Sequence, residues 1–216
     1  MTRPYTLKKR AEQVEQTRQR IVEAAVDLHG TVGPASTTLS MIAERAGVQR
    51  HTLYAHFPTE KSLYLACSGL ALERDPLPDT ASWTAIRSVR DRLRRGLSDL
   101  YGWYARNEEL AACVLRDAQH HALTREIAEF RFGPPFEAYR RALGGDLTAS
   151  QRALLAVALD FHAWQALKRE ATLSPAGAAE LLADAIASAS SSGSTDVASR
   201  SGRRRAGAKR APAGAR

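Results

Sequence analysis

Gln49, Arg50, His51, Thr52, Tyr54 and His56 fall within eight consecutive positions, and each carries a side chain that donates or accepts hydrogen bonds. An amide or a guanidinium binds a base edge through paired hydrogen bonds, while hydroxyl, imidazole and cationic groups hold phosphate oxygens. Such a cluster on one short helix suits the reading of duplex DNA, with Gln49 and Arg50 placed to select sequence. Tyr54 and His56 also suit packing or capping roles. Thr38 and Lys61, at the starts of the flanking helices, complete the set of candidate DNA contacts.

Other reactive residues are poorly arranged. His120 and His121 are adjacent, so on a helix they point about 100° apart. Asp117 with His120 makes one acid-histidine pair, whereas a di-metal carboxylate site needs two and further carboxylates. Asp160 and His162 flank Phe161 at a spacing that does not bring both polar groups squarely onto one ligand. Neither a phosphate-cradling glycine loop nor a nucleophile elbow occurs. Cys67 and Cys113 lack metal-like spacing and read as reduced, buried thiols in a cytoplasmic protein. No catalytic residue, metal or cofactor is expected, and a helical enzyme or metal protein is the weaker reading.

The elements that must hold the polar cluster are legible around it. Leu39, Ile42, Ala43 and Ala46 recur at helical spacing behind Thr38, whose hydroxyl can accept a backbone N–H. Gly47 supplies a left-handed turn. Val48, Leu53 and Phe57 then face inward on the next helix. Upstream, Val14, Ile21, Ala25 and Leu28 stripe a first helix that Gly30 and Gly33-Pro34 end. Downstream, Leu63, Cys67 and Leu70 stripe a fourth helix, which Asp75-Pro76-Leu77-Pro78 breaks.

The run IAERAGV, the LYAHF that follows it and the Pro58 turn resemble the DNA-binding domain of TetR-family transcriptional regulators. Arg18 to Gly30 is similar to that family's first helix, and the match covers about the first 70 residues. The chain departs from the family pattern in having Gln49 where a capping serine is common and His51 where a small residue is usual. Ala55 replaces a longer polar side chain, and Thr59-Glu60-Lys61 replaces the frequent Ser-Lys-Glu order, which makes Lys61 the candidate for that lysine's phosphate contact. The resemblance implies repression by a homodimer on a palindromic double-stranded DNA operator.

The remainder reads as helical throughout. Ile86, Val89, Leu93, Leu97, Leu100 and Tyr104 step through a long fifth helix, and Leu110, Cys113 and Val114 open a sixth. Ile127 and Phe130 begin a seventh that Gly133-Pro134-Pro135 should kink or split before Phe136, Tyr139 and Leu143 resume it. Thr148 with Gln151 caps an eighth, and Ser174-Pro175 opens a ninth. Leu154, Val157, Phe161 and Trp164 line one side of the eighth helix while Leu155, Leu159, His162 and Ala166 line another. A helix apolar around most of its circumference needs cover on two sides, which a second copy would provide. The resemblance implies that the last two helices, about 148–189, form that homodimer interface. Trp103, Tyr104, Phe130, Phe136, Tyr139, Phe161, His162 and Trp164 place amphipathic bulk where a bundle could enclose a small-molecule effector, with Asp160 and His162 as polar orienters.

Of the net charge of +8, residues 190–216 carry +6, while residues 1–61 carry +3. The basic excess therefore sits at the DNA-reading end and in a Ser, Gly, Ala and Arg tail that cannot bury enough apolar surface to order itself. The expected organisation is all-α with about nine helices. It comprises a basic flexible arm (1–12), a helix-turn-helix head (13–75), a helical ligand-binding and dimerisation bundle (80–189) and a disordered basic tail (190–216). No run of 18 apolar residues supports membrane insertion. The function expected is a sequence-specific regulator released from its operator by a ligand, the competing reading being a ligand-independent DNA-organising protein.

Overall fold

The computed structural model describes residues 3–189, with side chains from Lys8 onward, and the described residues form helices and no strand. The elements are α1 (Arg3–Thr31), a 3-10 turn (Pro34–Ser36), α2 (Leu39–Arg45), α3 (Arg50–His56), α4 (Glu60–Arg74), α5 (Ala81–Thr84) and α6 (Val89–Arg106). They continue with α7 (Glu108–Ala118), α8 (Ala122–Gly144), α9 (Ala149–Ala158), α10 (Phe161–Ala171) and α11 (Pro175–Ser188). The disordered basic tail expected at 190–216 lies outside the described residues. None of the described helices is long and apolar enough to cross a membrane.

Two apolar clusters organise the chain. The smaller joins Ile21, Val22, Ala25 and Leu28 of α1 to Ile42, Ala43, Leu53, Phe57, Leu63 and Cys67. The larger is built on Leu93, Leu97, Leu100, Tyr101 and Tyr104 of α6, against Trp83, Tyr139, Leu143, Leu155, Phe161, Trp164 and the alanines of α11. Small side chains at Ala178, Ala179 and Ala183 bring α11 close against α6.

Caps set several helix starts, at Thr38, Thr148 and Ser174 as their sequences predict and at Thr59 in addition. Thr38 Oγ1 accepts the Met41 N–H at 3.2 Å. Reciprocal boxes form at Thr59–Ser62 and Thr148–Gln151, and Ser174 accepts the Gly177 N–H.

Four features differ from the sequence reading. Helix α1 begins at Arg3, so residues 3–12 are its first turns rather than a flexible arm. Val14 is exposed because α2 and α3 are only 7 residues each and cover the other end of α1. Helix α8 runs unbroken for 23 residues through Pro134 and Pro135. The prolines remove two donors and so release the carbonyls of Phe130 and Arg131, on a stretch where Phe130 is exposed and Arg131 half-buried. The single helix expected from Thr148 onward is instead two, because Asp160 accepts the Ala163 N–H at 2.9 Å and starts α10 afresh.

That break frees backbone carbonyls inside the bundle, and α6 answers them. Tyr101 donates its hydroxyl to Ala158 O and Tyr104 donates its own to Leu159 O, each at 2.7 Å. Burial holds both phenols well above their ordinary pKa. Replacing either tyrosine with phenylalanine keeps the ring and strands a buried carbonyl, a loss of about 1–3 kcal/mol. Chemical denaturation of Y101F and Y104F should show a lowered midpoint with an unchanged slope.

Candidate DNA-reading surface and ligand cavity

Helix α3 is anchored from below. Leu53 and Phe57 of α3 are 1% and 2% exposed, and the Arg18 guanidinium lies 5.1 Å from the centre of the Phe57 ring. Gly47 takes a φ of 64°, the left-handed conformation that glycine adopts without strain. Arg20 of α1 donates to Ala46 O at 3.2 Å, tying the turn to the first helix. Val48 is half-buried against the same cluster.

With those residues turned inward, Gln49, Arg50, His51 and Tyr54 are exposed and Thr52 and His56 are half-buried. Four of the six candidate contacts are therefore open to solvent on α3 and its N-cap, and two are partly covered. Gln49 precedes α3 without making a side-chain cap, so its amide is not committed there. Arg50 Nη2 lies 3.4 Å from the Tyr54 hydroxyl, and its guanidinium sits over that ring at 6.0 Å. Thr38 is exposed while capping α2. Lys61 is paired with Glu126 of α8 at 2.5 Å, so it reaches a phosphate only by exchanging that partner.

A second feature lies between α1, α4, α6, α7, α8 and the α9–α10 break. It is a cavity of about 520 Å³ whose wall is mostly apolar. Of the candidate pocket residues, Trp103, Tyr104, Phe136, Asp160 and Phe161 line it. Phe130, Tyr139, His162 and Trp164 do not. Phe130 is 61% exposed beside Arg131 because α8 turns it away from the bundle. Tyr139 is buried and donates to Pro78 O at 2.8 Å. Trp164 packs into the larger core, and His162 is exposed beside Phe161. Asp160 is exposed and committed to capping α10, so it is no buried orienter.

The sequence reading missed the wall contributed by the reading head: Val26 and His29 of α1 and Tyr64, Cys67 and Ser68 of α4. His29 was the available signal, an imidazole set in the apolar stripe of α1. It lies 4.8 Å from Tyr64, ring centre to ring centre, and its Nδ1 is 3.5 Å from Cys67 Sγ. Burial drives the His29 pKa down to about 4, against a smaller upward pull from Asp117. Burial also pushes the Cys67 thiol up to about 12, so this cysteine is inert.

Hydrogen bonds staple this cavity to the head. Tyr64 donates to Pro34 O at 2.9 Å, and Asp117 of α7 accepts the Ala35 N–H at 2.8 Å while pairing with Arg116. Burial of the Asp117 carboxyl raises its pKa, but the Arg116 and Ala35 donors outweigh that and hold it below the ordinary range. On the far side of α4, Asp75 accepts from Arg106 and Asn107, and the Arg106 guanidinium holds its carboxyl below the usual range.

Residues 21–67 match the family model described as bacterial regulatory proteins, tetR family. The chain is 38% identical over 85 residues to the HTH-type transcriptional regulator SrpR of Pseudomonas putida, a match covering 37% of this chain and 40% of that one. The chain thus spans about two fifths of the length of that relative. A TetR-like transcriptional regulator from Rhodococcus sp. RHA1 superposes with a TM-score of 0.56 at 20% identity, over 79% of this chain and 93% of the other. The multidrug binding protein EbrR, complexed with imidazole, superposes with a TM-score of 0.51 at 25% identity, over 77% and 93% of the two chains. Segment 21–67 is thus similar to the matched segment of the tetR family of bacterial regulatory proteins, and the helical fold that carries it is shared with a TetR-like regulator.

Proposed function

We propose that this chain is a sequence-specific DNA-binding transcriptional regulator, a homodimeric repressor that leaves a palindromic operator when a small molecule fills its cavity. The observation that carries this reading is the outward row Gln49, Arg50, His51 and Tyr54 on a helix anchored by Leu53 and Phe57. Thr52, His56, Thr38 and a released Lys61 serve as the accompanying phosphate contacts. Two copies of α3 entering successive major grooves require a spacing of about 34–36 Å. Exposed Leu154 and Val157 of α9 and Leu181 of α11 support pairing through residues 148–189. Such a regulator works beside the chromosome, in the cytoplasm.

The cavity favours ligand response over ligand-independent DNA organisation, because it lies between the head's α1 and α4 and the rest of the bundle. The likeness to EbrR, a multidrug-binding protein, supports the same reading. A ligand that fits only one relative placing of these helices shifts the dimer toward that placing by its differential affinity.

Selection from a random duplex pool should return an inverted repeat. Recovery of no preferred sequence, with competition by random DNA at equal strength, would instead identify a DNA-organising protein. Arg50→Ala should cost about 1–3 kcal/mol of operator binding and relax the preference at one base position in each half-site. Gel-shift titration against the selected operator and single-base variants measures both effects. Uniform weakening across all variants would reassign Arg50 to phosphate.

A further inference from the structure

The cavity has one polar atom left over. Among the described residues, His29 Nε2, Arg92 Nε and Trp164 Nε1 are buried without a hydrogen-bond partner, and of these three residues only His29 lines the cavity. At 5% exposure, His29 is screened from bulk solvent, so the unpaired nitrogen is a standing cost to the fold. The buried aromatic donors of the cavity wall are spent: Tyr64 on Pro34 O, Tyr104 on Leu159 O, and Trp103 Nε1 on Asp75 O at 3.0 Å.

The surrounding bonds fix which kind of partner Nε2 takes. Cys67 Sγ lies 3.3 Å from the Tyr64 carbonyl, a nearer acceptor than His29 Nδ1 at 3.5 Å, which assigns the thiol hydrogen to that carbonyl. The sulfur is then free to accept from His29 Nδ1–H at 3.5 Å. With the ring hydrogen on Nδ1, Nε2 presents a lone pair. Burial keeps the imidazole neutral at ordinary pH.

The wall sets the remaining chemistry. Trp103, Tyr104, Ile127, Leu159 and Phe161 are buried and line the cavity. The charged residues at its edge, Arg125, Glu129, Arg140 and Asp160, are exposed, while half-buried Arg131 is engaged by Ser68 Oγ and Leu65 O. A charged ligand finds no buried opposite charge in this wall.

The geometry points to a ligand that is neutral, ring-sized and mostly apolar, with one hydroxyl or N–H that donates to His29 Nε2. This inference rests on the ligand-cavity reading above and adds the chemistry of its occupant. Because His29 belongs to the last turn of α1, the bond places the ligand directly on the helix that backs the reading head.

The test uses the full chain with 2-naphthol and 2-methoxynaphthalene, titrated calorimetrically. The ether is the more apolar probe, so apolar burial alone favours it. A hydrogen bond to Nε2 makes naphthol bind about tenfold tighter, and His29→Phe brings the ratio to about one or below. Nitrogen-15 spectra of the wild-type imidazole should show hydrogen on Nδ1, and an Nε2 signal that moves on adding naphthol. These wild-type measurements decide the matter even where the variant fails to fold. Equal affinities for the two probes, or hydrogen on Nε2, overturns the His29 assignment and leaves the cavity reading standing. Failure of both probes to bind overturns the two together.

Discussion

Val157→Arg should convert the proposed dimer to monomers and reduce operator affinity by about a thousandfold or more, roughly 4 kcal/mol, toward the level of nonspecific binding. Val157 is 56% exposed in the single chain, beside Leu154 on α9, and Leu181 on α11 is 49% exposed. Within one protomer an arginine there meets water and costs little. Between two protomers the same guanidinium is buried without a carboxylate partner, which costs several kcal/mol. The expected pattern is therefore specific: sedimentation falls to the monomer mass, operator binding collapses, and thermal unfolding at low protein concentration stays nearly unchanged. A variant that remains dimeric and binds its operator normally places the interface elsewhere.

Acidification from about pH 6.5 to about pH 4 should remove roughly 3 kcal/mol of stability through His29 alone, on the order of 1.4 kcal/mol per pH unit. The cause is burial, which lowers the folded-state pKa from 6.5 to about 4; Asp117 opposes the shift and His121 adds to it. The unfolded chain takes up a proton near pH 6.5 while the folded chain resists it. Stability is thus complete above that value, falls as pH drops, and levels off once the folded imidazole also protonates. Asp75 and Asp117 act in a lower window: their folded pKa values are depressed, so their contribution is lost only as pH falls below the ordinary carboxylate range. Urea titrations between pH 7.5 and 4.5, with His29→Phe as the reference, isolate the effect. Parallel pH profiles for the two proteins would refute it.

Local sequence carried much of the architecture. Thr38, Thr59, Thr148 and Ser174 each bond a backbone N–H three residues on, so their caps depend only on nearby atoms. Gly47 and the proline pair at 76 and 78 act the same way, through backbone conformations confined to a few residues. The exposed side of α3 was legible for a related reason: Leu53 and Phe57 define its buried side, and Gln49, Arg50, His51 and Tyr54 fall outside it. Asp160 shows the limit of this approach. Its capping role is local, yet the break it permits requires Tyr101 and Tyr104, more than fifty positions away, to take the released carbonyls.

By itself, then, the sequence determined the helical class, several helix starts and which side of α3 is buried, because capping, turn conformation and amphipathic spacing act over a few residues. The tertiary structure decided where the cavity lies and what it presents. Tyr139 and Trp164 went to the core, Phe130 and His162 to solvent, and Lys61 to Glu126, while His29, Tyr64 and Cys67 of the head became cavity wall. The physical reason is that a side chain's exposure and bonding partners depend on which helix arrives opposite it, and the staple from Ala35 to Asp117 spans 82 positions of sequence.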